Sequence, residues 1–186
     1  LYGSGMPSMR SRLALALIKK KLPEIVSADP LGELDDGLHI AIVGSGSPLP
    51  DEKRGNPCTL VIAGGKVFVV DAGEGASETI ARMGIDPGLI DSLLLTHYHS
   101  DHIGGLGSVN LQRWVSERSS TAMKVFGPPG VEKVIAGYNA AYELDRGYRV
   151  GHHGEKLVDP SVGPMVPEEF PVPEEGQSDV VLESDG

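Results

Sequence analysis

The 186-residue chain has a single cysteine, Cys58, so it can form no disulfide within itself and no cysteine-rich zinc site. Any bound metal must therefore use histidine and carboxylate ligands. Cys58 begins the apolar run Cys58-Thr59-Leu60-Val61-Ile62, which predicts a small buried side chain. The lack of disulfides favours the cytoplasm, unless an N-terminal segment with an export signal or anchor was removed.

Long hydrophobic runs are also absent, and no apolar stretch approaches the ~20 residues of a membrane-spanning helix. Residues 13–18 form the longest such stretch near the start, and basic residues flank it on both sides. We predict a helix over residues 11–26 with a solvated basic side. The alternative is a helix lying on an anionic membrane surface.

Positive charge is scarce, because 16 Lys and Arg face 26 Asp and Glu and give a net charge of -10. Such a field repels phosphate backbones, so nucleic-acid binding would need a local basic patch or a metal. The segment 10–21 is basic, whereas 168–185 is strongly acidic. The charge therefore disfavours a nucleic-acid partner.

Short strand-like and helix-like segments alternate along the chain, which predicts a layered α/β fold. Strands are predicted at 38–43, 59–63, 67–70, 92–95 and 124–126, and helices at 76–83, 106–118 and 131–142. From residue 145 onward the sequence is loop-like. A hairpin turn at Gly64-Gly65 argues against an all-parallel sheet. We divide the chain into an N-terminal helix and linker (1–36), an α/β domain (37–145), and an inserted loop with an acidic tail (146–186).

Four potential metal ligands fall within six residues of the run Thr96-His97-Tyr98-His99-Ser100-Asp101-His102, directly after an apolar strand. In an extended segment His97 and His99 project to the same side, where two imidazoles can bind one ion. A turn then presents Asp101 and His102 to a second position about 3.5–4 Å away, the separation of two-metal hydrolases. Zinc suits these ligands, and manganese and iron are alternatives.

The clustering of the histidines supports this interpretation, because three of the chain's six histidines would rarely fall together with an aspartate by chance. His39 is the contrasting case. It stands alone in a predicted strand and indicates only a packed or surface side chain.

The histidine run resembles the His-x-His-x-Asp-His hallmark of the metallo-β-lactamase superfamily. Val70-Asp71-Ala72-Gly73-Glu74-Gly75 resembles the earlier Asp-x-Gly motif of that superfamily. Gly44-Ser45-Gly46-Ser47-Pro48 and Phe126-Gly127-Pro128-Pro129-Gly130 resemble an opening loop and a later turn of its ribonuclease Z and arylsulfatase-like branch. The match covers residues 38–142 and implies the N-terminal half of an αββα fold.

By this resemblance, His97 and His99 bind a first zinc ion, and Asp101 and His102 bind a second. Asp101 would also orient the attacking water or move its proton, which makes it the candidate catalytic residue. Asp71 would hold the metal loop by hydrogen bonds. The alternative for Asp71 is an ordinary turn aspartate.

Four further residues are candidates for the substrate side of the site: Ser45, Ser47, His152 and His153. The loop of Ser45 and Ser47 lies near the substrate in the family, although it can also be a simple glycine-rich turn. We interpret His152 and His153 as part of an inserted loop at the mouth of the site. A solvated loop and a substitute metal ligand are the alternatives.

The superfamily adds a later histidine, a bridging aspartate and a final histidine, and no such pattern follows His102. We therefore expect a truncated chain that binds metal weakly and has little activity alone. We also expect it to pair with another copy of itself or with a missing C-terminal half.

The leading functional hypothesis is a hydrolase, with two zinc ions, of phosphodiester, phosphate or sulfate esters. Ribonuclease Z enzymes hold tRNA with a basic arm, and residues 143–175 are mixed and then acidic, which favours a small ester substrate. One alternative is a tRNA 3′ processing endonuclease. Another is an inactive or split family member that acts as a partner subunit.

Overall fold

A computed structural model of the chain describes residues 30–49, 51, 53–116 and 118–183. The helix predicted over 11–26 lies outside these residues. The chain divides into two compact units, 1–34 and 35–186. In the first, a hydrogen bond of 3.2 Å from Leu34 N to Leu31 O closes a turn. Among the described helices, none has the length and apolar character needed to cross a membrane.

The described part of the second unit contains six strands and five α-helices. The strands are β1 (His39–Gly44), β2 (Cys58–Ala63), β3 (Lys66–Val70), β4 (Ile90–Leu94), β5 (Lys124–Gly127) and β6 (Val166–Glu169). The helices are α1 (Ala76–Arg82), α2 (Ser100–Ile103), α3 (Leu106–Trp114), α4 (Val131–Ala141) and α5 (Glu143–His153). Pro87–Leu89 adds a short 3₁₀ helix before β4.

The strands form one mixed sheet in the order β1-β2-β3-β4-β5-β6. The first three strands are antiparallel, and β3 to β6 are parallel. The hairpin predicted between β2 and β3 is confirmed, with φ of 55° at Gly64 and 72° at Gly65. The parallel strands bring their carboxyl ends to one edge of the sheet, where loops carry functional residues in open α/β sheets.

One face of the sheet is packed, and the opposite face is exposed at β1 and half-buried in β2 and β3. Cys58, Leu60 and Ile62 of β2 alternate inward and are buried, which confirms the prediction for Cys58. On the opposite face, Ile40 and Ile42 of β1 are 62% and 60% exposed. The core therefore lies between one face of the sheet and the helices that pack on it.

The loop-like character predicted from residue 145 is wrong, because α5 continues to His153. No side chain of α5 is buried. An ion pair of 2.7 Å between Arg149 and Asp145, one turn apart, supports the helix. Half-buried Val150 packs against the cluster around Trp114. The sequence signal was weak because glycines interrupt the helix and few of its residues are apolar.

Strand β6 was also missed. It pairs in parallel with β5 at the edge of the described sheet and contains Pro167. Proline cannot donate to a strand ladder and is tolerated mainly at sheet edges. The division of the chain at residues 36 and 145 stays a prediction.

Candidate metal centre

The histidine motif begins where β4 ends. Leu95 N donates to Phe126 O of β5 at 2.7 Å, and Asp71 N donates to Leu94 O at 2.9 Å. The ends of β3, β4 and β5 are thus joined at the point where the motif starts. His99 has an extended backbone, and α2 begins at the next residue. The extended half carries His97 and His99, and the helical half carries Asp101 and His102.

The four predicted ligands lie side by side. Nε2 of His97 and Nδ1 of His99 are 3.0 Å apart, within hydrogen-bond distance. The ring centres of His97 and His102 are 4.0 Å apart. Nε2 of His102 lies 3.7 Å from Oδ2 of Asp101, whose residue is only 7% exposed. The structure therefore brings together the residues that the sequence singled out as ligands.

Asp71 connects the two ends of the motif. Its carboxylate accepts hydrogen bonds from Thr96 N at 2.9 Å, from Thr96 Oγ1 at 2.8 Å and from His102 Nδ1 at 2.7 Å. With its Nδ1 proton held by Asp71, His102 keeps Nε2 free as an acceptor or ligand. The predicted hydrogen bonds of Asp71 are present, and its role toward a metal stays a prediction.

The backbone of Asp71 has a φ of 58°, a region that residues with side chains rarely adopt. Such a conformation persists only where the surroundings define it, and it is concentrated at functional sites. Here the three hydrogen bonds to Thr96 and His102 stabilise this backbone conformation. The two hydrogen bonds of Thr96 to Asp71 were not predicted from the sequence. The only available signal was a hydroxyl residue directly before the first histidine.

Glycines allow the two loops of the site to pack backbone against backbone. A Cβ on Gly73 would lie 2.4 Å from the carbonyl oxygen of Asp101, and one on Gly105 would lie 2.1 Å from that of Gly73. Ala72 and His102 also share a hydrogen bond of 2.8 Å between backbone N and O. Only glycine leaves space for this approach.

The predicted substrate loop lies next to these glycines. Ser45 and Ser47 are exposed, and between them Gly46 N donates to Gly55 O at 2.7 Å. The neighbouring Asn56 would touch a Cβ on Gly73 at 2.4 Å. The loop is therefore connected through Asn56 to the Asp-x-Gly segment, and contact of Ser45 or Ser47 with a substrate stays a prediction.

His152 and His153 lie at the end of α5, not on an inserted loop as the sequence predicted. Both are exposed, and their ring centres are 4.7 Å apart. In the described part of the chain, no hydrogen bond or ring contact joins them to the motif histidines. Their assignment to the mouth of the site stays a prediction.

The side chains of the motif can bind divalent ions as two pairs, His97 with His99 and Asp101 with His102. Two nitrogens bound to one tetrahedral zinc at about 2.0–2.1 Å lie about 3.3 Å apart, so His97 and His99 need to separate by only a few tenths of an ångström. Asp101 and His102 add an oxygen and a nitrogen beside them. Within the described ranges, however, no three His, Cys, Asp or Glu side chains form a complete metal site. Each pair would need further ligands, such as water.

Cys58 contributes no ligand, although it lies on the strand next to Asp71. Burial, with a smaller contribution from the negative charge of Asp71, raises the pKa of the Cys58 thiol to about 12. The thiol is therefore neutral near pH 7 and has neither the charge nor the exposure of a metal-binding thiolate.

A strand-end loop of paired imidazoles and a buried carboxylate, held by an aspartate that directly follows the neighbouring strand β3, is typical of a class of metal-binding proteins. Residues 52–185 match the family model described as the Metallo-beta-lactamase superfamily, and the chain belongs to this superfamily. The resemblance predicted from the motifs is thus confirmed. Membership implies binding of a divalent metal.

Within the superfamily the chain is similar to ribonuclease Z. It is 42% identical over 127 residues to ribonuclease Z of Mycolicibacterium gilvum (strain PYR-GCK), which covers 67% of this chain and 44% of that protein. Ribonuclease Z of Mycobacterium avium (strain 104) is also 42% identical over 127 residues, with 67% and 45% covered. The chain spans about half the length of the curated relatives it matches.

Solved structures agree on the fold. Human tRNase Z, short form, has a TM-score of 0.56 at 23% identity over 73% of this chain and 47% of that one. A long form RNase Z from yeast has a TM-score of 0.53 at 17% identity over 78% of this chain and 23% of that one. The predicted α/β class is therefore confirmed.

Proposed function

We propose that the chain carries part of the active site of a metal-dependent ribonuclease that hydrolyses phosphodiester bonds, with the 3′ end of precursor tRNA as its substrate. The relatives named ribonuclease Z, at 42% identity, support an RNA substrate. The expectation of a small ester finds no support among them, and neither does an arylsulfatase-like activity.

The observation that carries the proposal is the hydrogen-bonded link between Asp71 and both ends of the motif. It holds His102 in one orientation, while Nε2 of His97 and Nδ1 of His99 converge at 3.0 Å. Ligands fixed before binding reduce the ordering that a bound ion and its substrate require. This fixed arrangement supports a hydrolytic metal site that is completed by further ligands.

The chemistry follows from the positions of these side chains. A bound divalent ion would supply a water that is acidic near neutral pH and positive charge for the phosphate oxygens. His97 and His99 would hold one ion, and Asp101 with Nε2 of His102 would hold a second. The buried carboxylate of Asp101, beside His102, is placed to accept a proton from the attacking water. Asp71 keeps the proton on Nδ1 of His102 throughout.

The net charge of -10 was the reason to disfavour RNA, but net charge does not determine what a single site binds. Metal ions are often the largest local charges in a site and reverse its electrostatics. Lys53 is an exposed cationic residue on the segment beside the Ser45–Ser47 loop, whereas Arg54 is paired with Asp51 at 3.0 Å. A bound metal ion would therefore be the main source of attraction for phosphate at the site.

The test uses the protein of the complete reading frame, labelled precursor tRNA with a 3′ trailer, and Zn²⁺ or Mn²⁺. Asp101→Asn is compared with Asp36→Asn, which changes an exposed aspartate. We expect cleavage at the 3′ end of the tRNA, stopped by chelator and slowed about 100-fold or more by Asp101→Asn alone. Hydrolysis of p-nitrophenyl sulfate with intact tRNA, or an unaffected Asp101→Asn, would contradict the proposal.

Zinc is the ion we expect at both positions, because imidazole and carboxylate ligands suit it. A cytoplasmic location and pairing with a second copy stay predictions, as does a role for Ser45 and Ser47 in substrate contact.

A further inference from the structure

Tyr98 stands between the two converging histidines of the motif. In an extended segment its side chain projects to the side opposite those of His97 and His99. The ring is half-buried, and its hydroxyl donates a hydrogen bond to the carbonyl oxygen of Pro128, thirty residues further along the chain. Tyr98 therefore connects the middle of the metal loop to the turn after β5.

The turn after β5 has glycines where it faces the ring of Tyr98. A Cβ on Gly127 would lie 2.8 Å from the Tyr98 hydroxyl, and one on Gly130 would lie 3.4 Å from the ring. Gly130 also has a φ of 108°, which disfavours other residues. The two glycines leave the space that the tyrosine occupies.

The turn is held in place without Tyr98. Val131 N already donates to Pro128 O at 3.2 Å, and Phe170 N donates to Gly127 O at 3.0 Å. The side chain of Glu169 on β6 accepts from Gly130 N at 3.1 Å. Because these bonds fix the turn, the hydroxyl of Tyr98 serves to fix the metal loop.

The rest of the loop is anchored only at its ends. Asp71 holds Thr96 and His102. In the described chain, the side-chain hydrogen bonds and ring contacts of His97 and His99 are confined to the motif itself, namely to each other, Thr96 and His102. Tyr98 is the anchor that reaches outside the motif between them.

We propose that Tyr98 is a positioning residue that sets the separation and direction of Nε2 of His97 and Nδ1 of His99, and thereby the affinity of the loop for a divalent cation. The inference rests on the metal centre in the proposed function. It does not depend on which phosphodiester is cut.

The test is a titration of the 186-residue chain with Co²⁺, followed by its visible absorption spectrum and by competition with a chromophoric chelator. Tyr98→Phe removes only the hydroxyl. Tyr148→Phe is the matched control, because Tyr148 is 72% exposed on α5. Gly127→Ala crowds the Tyr98 hydroxyl without changing the tyrosine, and its Cβ would also lie 2.9 Å from Cγ2 of Val131.

For Tyr98→Phe we expect a dissociation constant for Co²⁺ raised about tenfold, the lower end of the effect of an outer partner of a ligand, and an altered Co²⁺ spectrum. Gly127→Ala should act in the same direction, the double variant should bind no more weakly than Gly127→Ala alone, and Tyr148→Phe should match wild type. A merely structural role would lower the thermal midpoint of the metal-free chain and leave the spectrum unchanged.

Wild-type affinity and spectrum in Tyr98→Phe would overturn the inference and leave the metal centre intact. A wild-type chain that binds no Co²⁺ would overturn the metal centre and this inference with it. Altered Co²⁺ binding in Tyr98→Phe, together with no cleavage of precursor tRNA, would refute the ribonuclease and leave the positioning role standing.

Discussion

The carboxylate of Asp71 and Nδ1 of His102 are joined by a hydrogen bond of 2.7 Å, and neither side chain is more than 19% exposed. The same carboxylate also accepts hydrogen bonds from Thr96, which lies six residues before His102. A loop that is closed at both ends by one buried group changes shape when that group is altered. The integrity of the candidate metal centre therefore depends on a residue that need not touch the metal.

Replacing Asp71 by asparagine should weaken Zn²⁺ binding about 10–100-fold, because one acceptor oxygen becomes a donor that faces Thr96 or His102. The lost hydrogen bonds should also lower the free energy of unfolding by about 1–3 kcal/mol. Calorimetric titration with Zn²⁺ and urea unfolding measure the two effects. Asp36→Asn is the control, and unchanged Zn²⁺ affinity in Asp71→Asn would refute an orienting role.

Gly73→Ala should destabilise the protein and impair metal binding together, since its Cβ would lie 2.4 Å from the carbonyl oxygen of Asp101. Overpacking of this kind typically costs about 1–3 kcal/mol. Gly147→Ala on α5 is the matched control, because its Cβ meets nothing within 4 Å. It should stabilise by about 0.5–1 kcal/mol. Thermal unfolding compares the two, and an undisturbed Gly73→Ala would show that the loops are not tightly packed.

The raised pKa of Cys58, about 12 against an ordinary 9.0, predicts a loss of stability at high pH. Above pH 9 the unfolded chain releases the thiol proton while the folded chain keeps it, so unfolding becomes easier as the pH rises from 9 toward 12. The slope from this group approaches about 1.4 kcal/mol per pH unit. Urea unfolding of wild type and Cys58→Ala across this range isolates the contribution.

A second measurement follows from the same buried thiol. Labelling of native Cys58 with a thiol reagent at about pH 8 should be slow and should follow unfolding, because only the thiolate reacts and only the exposed group is reached. Prompt labelling of the native protein would contradict both the burial and the raised pKa.

Local pattern was enough to predict five of the six described strands and the position of the histidine motif directly after β4. Alternation in β2 and the Gly64-Gly65 turn gave the hairpin, and the period of two put His97 and His99 on one side. These features depend on residues that are close together in the chain, so they can be predicted from the sequence.

The contacts that were not predicted from the sequence join residues that lie far apart in the chain. The bond from Tyr98 to Pro128 joins residues thirty positions apart and depends on β4 and β5 being neighbours in the sheet. Strand β6 depends likewise on pairing with β5, because Pro167 is a poor strand residue by itself. Helix α5 was missed because Val150 alone among its large apolar residues packs against the cluster around Trp114, whereas Leu144 and Tyr148 are 70% and 72% exposed.

Calorimetric titration with Zn²⁺ of wild type, His97→Ala and His39→Ala compares a histidine of the motif with His39, whose Nε2 donates to Asp35 O at 2.8 Å. We expect His97→Ala to weaken Zn²⁺ binding by roughly a hundredfold or more, which exceeds the effect of losing an outer partner of a ligand, and His39→Ala to bind as wild type does. Equal Zn²⁺ affinity in all three proteins would contradict a metal centre at the end of β4.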